Sequence, residues 1–478
     1  MEQLSGLDGA FLAMETRCVF GHVGSVCIVN PRVADGVGPG LTLDHLTRVI
    51  GSRLSLVPLF RRRLVTVPFG LDHPYWIEDP DFDIAFHVRE LALPKPGNDR
   101  QLGEQVARLH ARPLYRGRPL WELYLISGLS GGRAAIYLKI HHAAIDGVSG
   151  GDILTALLDA SPQGRELPPE EVFEGERPPD STWLLARSAV ALARQPIRAV
   201  RVATDVARSI PVIANVVGPP LAQRLAGKDS TELLSQTGLR APDTPFNAPL
   251  SPHRRWAFAD LPLAEVKQLR KGHDRDGLTV NDVVMALCAG ALRRWLELHD
   301  ALPGAPLVAA VPVSVRSSDQ KGTYGNRMSM MLAALPTNLP DPADRLGAMH
   351  DAMRAAKDQH GAIPAGLLAD FGQFALPALA NQAWRLSARL RLLERGPFNL
   401  IVSNVPGPRM SLYLAGAELL AYYPVSSLVD GQGLNITVMS YRDSLFFGLI
   451  ACRELVPDLD VLAGYLRDEL DALMSADA

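Results

Sequence analysis

Two adjacent histidines and an aspartate, His141, His142 and Asp146, stand in the segment KIHHAAIDGVSGG at Lys139–Gly151. Side chains of these types could hold a metal ion. They could also be a general base and the group that positions it. The overlapping Gly147-Val148-Ser149-Gly150-Gly151 comes close to the G-x-S-x-G pattern of a serine hydrolase.

The metal reading lacks ligands. His142 and Asp146 would share one face of a helix, as in a zinc-protease pattern. Adjacent His141 and His142, however, point to different sides in any regular structure. Asp146-Gly147 favours a turn, and no second ligand cluster occurs elsewhere in the chain, whereas zinc sites need three or four converging ligands. The hydrolase reading needs its serine immediately after a strand, yet the expected strand ends at Ile140 and Ser149 follows well beyond it. Ser149-Gly150-Gly151-Asp152 reads better as a capping box that opens a helix at Ile153–Ala160. The general-base reading asks least of the local geometry. One imidazole just past a buried strand, with an ordinary pKa of about 6.5, suits proton removal at neutral pH. Asp146 would fix the loop or balance an arginine, and Gly147 would let the chain turn tightly. A buried histidine pair with ordinary hydrogen bonds is the main competitor of this reading.

Several elements must hold that segment in place. Gly24–Val29 and Ala134–Ile140 read as buried strands, and Leu43–Leu54 and Asp99–Ala111 have helical spacing. The proline- and acid-rich Ser161–Ser181 has the composition of a linker or long surface loop. In Thr182–Ser209, Arg187, Arg194, Arg198, Arg201 and Arg208 fall on one helical stripe. That pattern suits a basic amphipathic helix on an anionic membrane, or an interdomain helix with solvated arginines. Pro196 and Pro211 divide or end it. Further on, Asp276–Trp295 reads as a helix capped by Asn281 or Thr279, and Pro306–Val315 as a strand. A helical block follows at Asp341–Leu393, with Trp384, Arg385, Arg389 and Arg391. Then come strands at Asn399–Ser403, Asn435–Ser440 and Leu445–Cys452, and a helix at Asp458–Leu473. Strands interleave with helices in both halves, so the expected fold is α/β, two domains of mixed sheets with flanking helices, facing each other.

Composition narrows the classes. A chain of 478 residues exceeds one ordinary core, and 47% hydrophobic with 21% charged residues is the balance of a folded protein. A net charge of -3 gives no footprint for nucleic acid. Cys18, Cys27, Cys288 and Cys452 form no C-x-x-C pair, which fits a reducing cytoplasm. At the N-terminus Glu2 stands where a signal peptide carries positive charge, and Asp8 and Glu15 interrupt the apolar stretch. No apolar run of about 18 residues occurs, so a spanning helix is not expected. Peripheral contact with lipid stays open.

HHAAIDG at His141–Gly147 resembles the HHxxxDG motif of the CoA-dependent acyltransferase superfamily, and within it the bacterial wax ester synthase/acyl-CoA:diacylglycerol acyltransferase family. LSGLDGAFLAMET (Leu4–Thr16), GHVGS (Gly21–Ser25), PLFRRRL (Pro58–Leu64) and WIEDPDFDIAFHV (Trp76–Val88) resemble blocks of that family. So do PLWE (Pro119–Glu122), SPHRR (Ser251–Arg255), Asn281-Asp282, VPVSVR (Val311–Arg316) and NVPGP (Asn404–Pro408). They span nearly the whole chain in the family's order. Condensation domains of peptide synthetases share HHxxxDG, whereas the DFGWG block of plant alcohol acyltransferases is missing here.

The resemblance implies two chloramphenicol-acetyltransferase-like domains, at 1–160 and 246–478, with a linker and basic helix at 161–245 and the active-site channel between the domains. It implies transfer of a long-chain acyl group from acyl-CoA, a co-substrate rather than a bound cofactor, to diacylglycerol. A long-chain alcohol, giving a wax ester, is the alternative acceptor; a lipid esterase and a non-catalytic lipid-binding paralogue are lesser alternatives. His142 would be the general base, His141 would support it, Asp146 would hold the motif through Arg17 or Arg316, and Gly147 would make the turn. Asn281 is a candidate oxyanion donor or merely a helix cap, with Asp282 beside it, and Trp121 is a core or channel-wall residue. Arg61–Arg63 would meet CoA phosphates or simply be solvated, and Ala143 and Ala144 would leave room beside the base. The expected location is cytoplasmic, peripherally attached to a membrane or lipid droplet.

Overall fold

Apolar and β-branched residues fill HVGSVCIVN and AAIYLKIH, and these become two central, paired strands. The structure is a computed structural model and describes residues 1–32, 40–145, 153, 156–167, 174–190, 241–272, 277–314, 328–360 and 398–476. In chain order the first strands are β1 (Glu2–Gln3), β2 (His22–Asn30), β3 (Arg62–Val65), β4 (Tyr75–Glu78), β5 (Val88–Ala92), β6 (Trp121–Ser127) and β7 (Ala134–His141). After them come β8 (Arg254–Pro262), β9 (Leu307–Ser314), β10 (Met328–Leu335), β11 (Leu400–Val405), β12 (Tyr413–Leu414), β13 (Ala417–Val425), β14 (Leu434–Tyr441) and β15 (Ser444–Cys452). The helices are α1 (Gly6–Ala13), α2 (Leu43–Gly51), α3 (Ile84–His87), α4 (Asp99–His110), α5 (Leu263–Gly272), α6 (Val280–Leu298), α7 (Pro342–His360) and α8 (Leu459–Ala476).

Two six-stranded mixed sheets result, in the orders β12-β13-β2-β7-β6-β5 and β10-β9-β11-β14-β15-β8, with a small sheet β1-β4-β3 beside the first. The α/β class read from the interleaved pattern is the class observed. In the first sheet Val23 pairs with Ile140, Ser25 with Leu138 and Cys27 with Ile136, so these six side chains share one face. Tyr137, Lys139 and His141 point to the other. Lys139 is fully buried there; its Nζ meets Glu122 across the ladder at 3.1 Å and donates to the carbonyls of Leu109 and Arg112. One amine thus ties the end of α4 to the sheet, satisfying a charge that burial alone would penalise.

The division along the chain is not the division in space. The chain leaves the second sheet after β11, adds β12 and β13 to the first sheet, and returns as β14. β13 pairs with β2 from Glu418 opposite Asn30 to Val425 opposite Gly24. Residues 413–425, assigned by the sequence to a C-terminal domain, therefore complete the N-terminal sheet. The first core also takes in Trp256, Met439 and Phe446, while the second gathers around α6, which is buried on nearly every side. Where the halves touch, a Cβ on Gly448 would lie 1.8 Å from the carbonyl oxygen of Pro424, so no side chain fits.

Some elements differ from expectation. The cap of α6 is Thr279, not Asn281: its hydroxyl accepts from the Asp282 amide while the Asp282 carboxylate accepts from the Thr279 amide. α2 stops at Gly51 and a short 3-10 turn, Leu54–Leu56, follows. Tyr413–Leu414 and Ala417–Val425, to which the sequence assigns no element, form β12 and β13, with Pro424 inside β13. Of the basic helix, residues 181–190 are helical; Leu184 packs on Val67 and Tyr75, and Arg187 stacks over Tyr75 and Trp183. Arg194, Arg198, Arg201 and Arg208 lie outside the described residues, as do Trp384, Arg385, Arg389 and Arg391. Among the described residues no helix is long and apolar enough to cross a membrane.

Candidate active site

β7 ends at His141, and the chain then tightens into a 3-10 turn, His142–Ala144. Two backbone bonds steer it: the His141 amide donates to Leu120 O at 2.9 Å, and the His142 amide to Gly21 O at 2.7 Å. The adjacent histidines thereby part company, as their neighbouring positions require.

His141 is buried and held through both ring nitrogens. Its Nδ1 accepts the Ala143 amide at 3.1 Å, which caps the turn, so the ring proton must sit on Nε2. That Nε2–H donates to Glu15 Oε1 at 3.1 Å. Glu15 also accepts from the Gly21 amide at 3.0 Å and, on its other oxygen, from Arg116 at 2.6 Å. Burial by itself would raise the Glu15 carboxyl, but the bonds from His141, Arg116 and Gly21 outweigh it and bring the pKa down from 4.5 to about 2. Glu15 is thus an anion at every working pH. Gly21 has no room for a side chain, because a Cβ there would lie 2.9 Å from His141 Nε2 and 3.1 Å from Phe11 O.

His142 is only partly buried. Its ring lies flat on Phe11 of α1, with centroids 4.1 Å apart and planes 17° apart. Ala143 and Ala144, beneath it, are buried. α1 therefore serves the site twice, placing Phe11 against one histidine and leading to Glu15 beneath the other.

The face of the first sheet that bears Val23 and Ile140, opposite the one that bears His141, borders an apolar cavity of about 620 Å³ including its mouth. The opposite face carries a second polar cluster. His22 donates to His110 O at 2.6 Å, Tyr137 OH donates to His110 Nδ1 at 2.8 Å, and His110 Nε2 donates to Ser426 O at 3.1 Å. Burial holds both histidines well below their ordinary range, so they stay neutral and join α4 to the second half.

The other candidate residues are dispersed. Trp121 lies between Phe60 and His87, ring to ring at 4.5 Å on each side, and its indole N–H donates to Phe60 O at 2.8 Å. It is a core residue. Asn281 accepts a hydrogen bond from Asn404 at 3.1 Å, joining the Asn-Asp pair to the NVPGP block. Asp282 is buried, serving the capping box and meeting His350 Nδ1 at 3.0 Å. Arg61, Arg62 and Arg63 are each matched by carboxylates, Glu78, Glu2, Asp79 and Asp81 among them. Arg17 is exposed, while Asp146, Gly147, Ser149 and Arg316 lie outside the described residues. Among the described residues no group of three or more His, Cys, Asp and Glu is placed to hold a metal ion.

Two mixed sheets joined by a strand crossover, with a histidine pair at the end of a central strand, make up the two-domain, chloramphenicol-acetyltransferase-like fold. Residues 4–284 match the wax ester synthase/diacylglycerol acyltransferase catalytic domain and residues 324–474 the C-terminal domain of the same group. The chain belongs to the wax ester synthase/diacylglycerol acyltransferase family. A Mycobacterium tuberculosis protein named as a candidate diacylglycerol O-acyltransferase is 36% identical over 478 residues, covering 99% of this chain and 90% of the relative. Another from that organism, similarly named, is 37% identical over 475 residues and covers 99% of both chains. The solved wax ester synthase/diacylglycerol acyltransferase of Marinobacter aquaeolei superposes with a TM-score of 0.67 at 30% identity, covering 99% of both chains. The first condensation domain of the calcium-dependent antibiotic synthetase shares the fold, with a TM-score of 0.56 at 18% identity over 100% of this chain and 97% of that one.

The sequence reading missed Glu15 as a site residue. Its signal was there: an acid interrupting an apolar segment.

Proposed function

We propose that this acyltransferase moves a long-chain fatty acyl group from acyl-CoA to the free hydroxyl of diacylglycerol, giving triacylglycerol, with His142 as general base. One observation carries the assignment of the base. His141 is buried with both ring nitrogens committed, whereas the His142 ring is partly exposed. His142 takes the proton of the acceptor hydroxyl as its oxygen attacks the thioester carbonyl. The tetrahedral oxyanion collapses, the C–S bond breaks, and the imidazolium returns the proton to the CoA thiolate. No covalent acyl-enzyme forms, so no nucleophilic serine is needed. Phe11 supports the flat orientation of the base, and Glu15 with Arg116 positions His141 so that the turn forms. Asp146 and Gly147 keep the structural roles that the HHxxxDG resemblance gives them.

The relatives' names favour diacylglycerol as acceptor, and the Marinobacter protein's name also includes wax ester synthesis. A long-chain alcohol is therefore the second acceptor to test. We place the enzyme in the cytoplasm at a membrane or lipid-droplet surface, the phase that holds its substrates. Phe69, 84% exposed on a left-handed turn, and the half-exposed Trp183 support that placement.

The test is product analysis with labelled palmitoyl-CoA and both dioleoylglycerol and hexadecanol. Triacylglycerol should dominate, and His142→Ala should lower turnover by about two to four orders of magnitude. A folded His142→Ala variant with near-normal turnover would remove the base from the mechanism.

A further inference from the structure

We propose that the cavity on the Ile140 face of the first sheet holds an alkyl chain of a lipid substrate, with Cys27 and Tyr422 setting how long a chain it accepts. The inference rests on the acyltransferase reading and assigns that site its chain-binding pocket.

The cavity reaches across the sheet from Leu123 of β6 to Leu414 of β12, and along β2 and β7 it covers three rungs. Its floor consists of three successive rungs, Val23 with Ile140, Ser25 with Leu138 and Cys27 with Ile136. The first rung lies two residues before His142, and the last lies farthest from it. Ile145, just after the histidine turn, and Leu157 line the cavity from the chain that follows the motif. Beside β2 the lining continues on the crossover strands, with Leu414 of β12 and Tyr422 of β13, which pairs with Cys27. No lining side chain is charged, and burial pushes the Cys27 thiol up to about 12, so it stays neutral as well. An uncharged slot lined by Ile140 and Ile145, the residues that flank the histidine turn in the chain, suits a hydrocarbon tail whose reacting end stays at the histidine.

The length follows from the backbone. Four residues from Ile140 to Ile136, at about 3.3 Å each, span roughly 13 Å. With C–C bonds of about 1.5 Å, a zigzag chain advances roughly 1.3 Å per carbon, so about ten carbons lie along the floor. Burying one methylene is worth about 0.8 kcal/mol, or roughly fourfold in kcat/KM. A bulky residue at the last rung that displaces four methylenes should therefore cost on the order of 10²-fold for a long chain. It should cost a short chain nothing.

Cys27→Phe and Leu138→Phe test the proposal, with Tyr422→Ala as the opposite change. One series varies the acyl-CoA from octanoyl to stearoyl with a fixed acceptor, and the other varies the alcohol from octanol to octadecanol with palmitoyl-CoA. Calorimetric binding of palmitoyl-CoA and hexadecanol reads the pocket independently of turnover. We expect Cys27→Phe, at the last rung, to keep octanoyl turnover while losing palmitoyl turnover and palmitoyl-CoA binding, Leu138→Phe, at the middle rung, to lower turnover with both chains, and Tyr422→Ala to extend the range. A shift confined to the alcohol series, with weakened hexadecanol binding, keeps the alkyl pocket and makes the acceptor its occupant. Folded variants with wild-type length ranking in both series and unchanged binding overturn the proposal. A wild-type enzyme that binds these ligands but forms no ester refutes the acyltransfer reading instead.

Discussion

Glu15 is the most informative residue to perturb, because it holds three donors with two oxygens. Its carboxyl falls from 4.5 to about 2 on folding, and its side chain is only 13% exposed. At about 1.4 kcal/mol per pH unit this difference is worth about 3 kcal/mol to the folded state. The pKa is depressed, so the stabilisation is complete above 4.5 and is lost as pH falls through about 2. Glu15→Gln keeps one carbonyl oxygen for His141 and Gly21 but gives up the charge facing Arg116. We expect it to lose about 1.5–3 kcal/mol, the worth of a charged hydrogen bond. Its stability should also respond less to acid between pH 5 and 2. Turnover should fall less than tenfold, since the His141 proton stays on Nε2. Glu15→Leu leaves the His141 Nε2–H and the Gly21 amide buried without an acceptor, at about 1–3 kcal/mol each. It should therefore lower kcat by about 10–100-fold, with KM for palmitoyl-CoA little changed. Urea unfolding at pH 7 and pH 4 reads the stability, steady-state kinetics the activity, and ¹⁵N shifts of the imidazoles the tautomer. A folded Glu15→Leu enzyme with wild-type kcat would refute the positioning role.

Two further substitutions separate site from scaffold. Gly21→Ala forces a methyl group to within 2.9 Å of His141 Nε2, so kcat should drop at least tenfold while circular dichroism shows an intact fold. Asp282→Ala removes the capping box and the His350 bond at once. It should cost about 2–3 kcal/mol in urea unfolding with KM unchanged, and a raised KM in a stable variant would instead make Asp282 a substrate ligand.

What was legible in the sequence was local. A buried strand that ends at the histidine pair is a pattern of consecutive residues, and β7 ends there; the turn expected at Asp146-Gly147 lies outside the described residues. Thr279 or Asn281 as a cap was likewise a local choice, decided only by which side chain reached the Asp282 amide. Glu15 is different, because its partners Arg116 and His141 lie 101 and 126 residues away. No spacing rule joins them. Their meeting depends on α1 crossing the histidine turn and on Gly21 leaving space for the carboxylate.

The crossover was hidden for a related reason. Residues 417–425 carry no strand in the sequence reading, and strand propensity would in any case not say which of two sheets they join. Physical necessity favours the one observed. Without β13, strand β2 would present a nine-residue, mostly buried and apolar edge, the kind of edge that folded proteins cover. Covering it with a strand from the distant half also places Tyr422 opposite Cys27, at the end of the cavity. The same hairpin that protects the edge thus closes the pocket, so the C-terminal half helps to shape a site whose histidines belong to the N-terminal half.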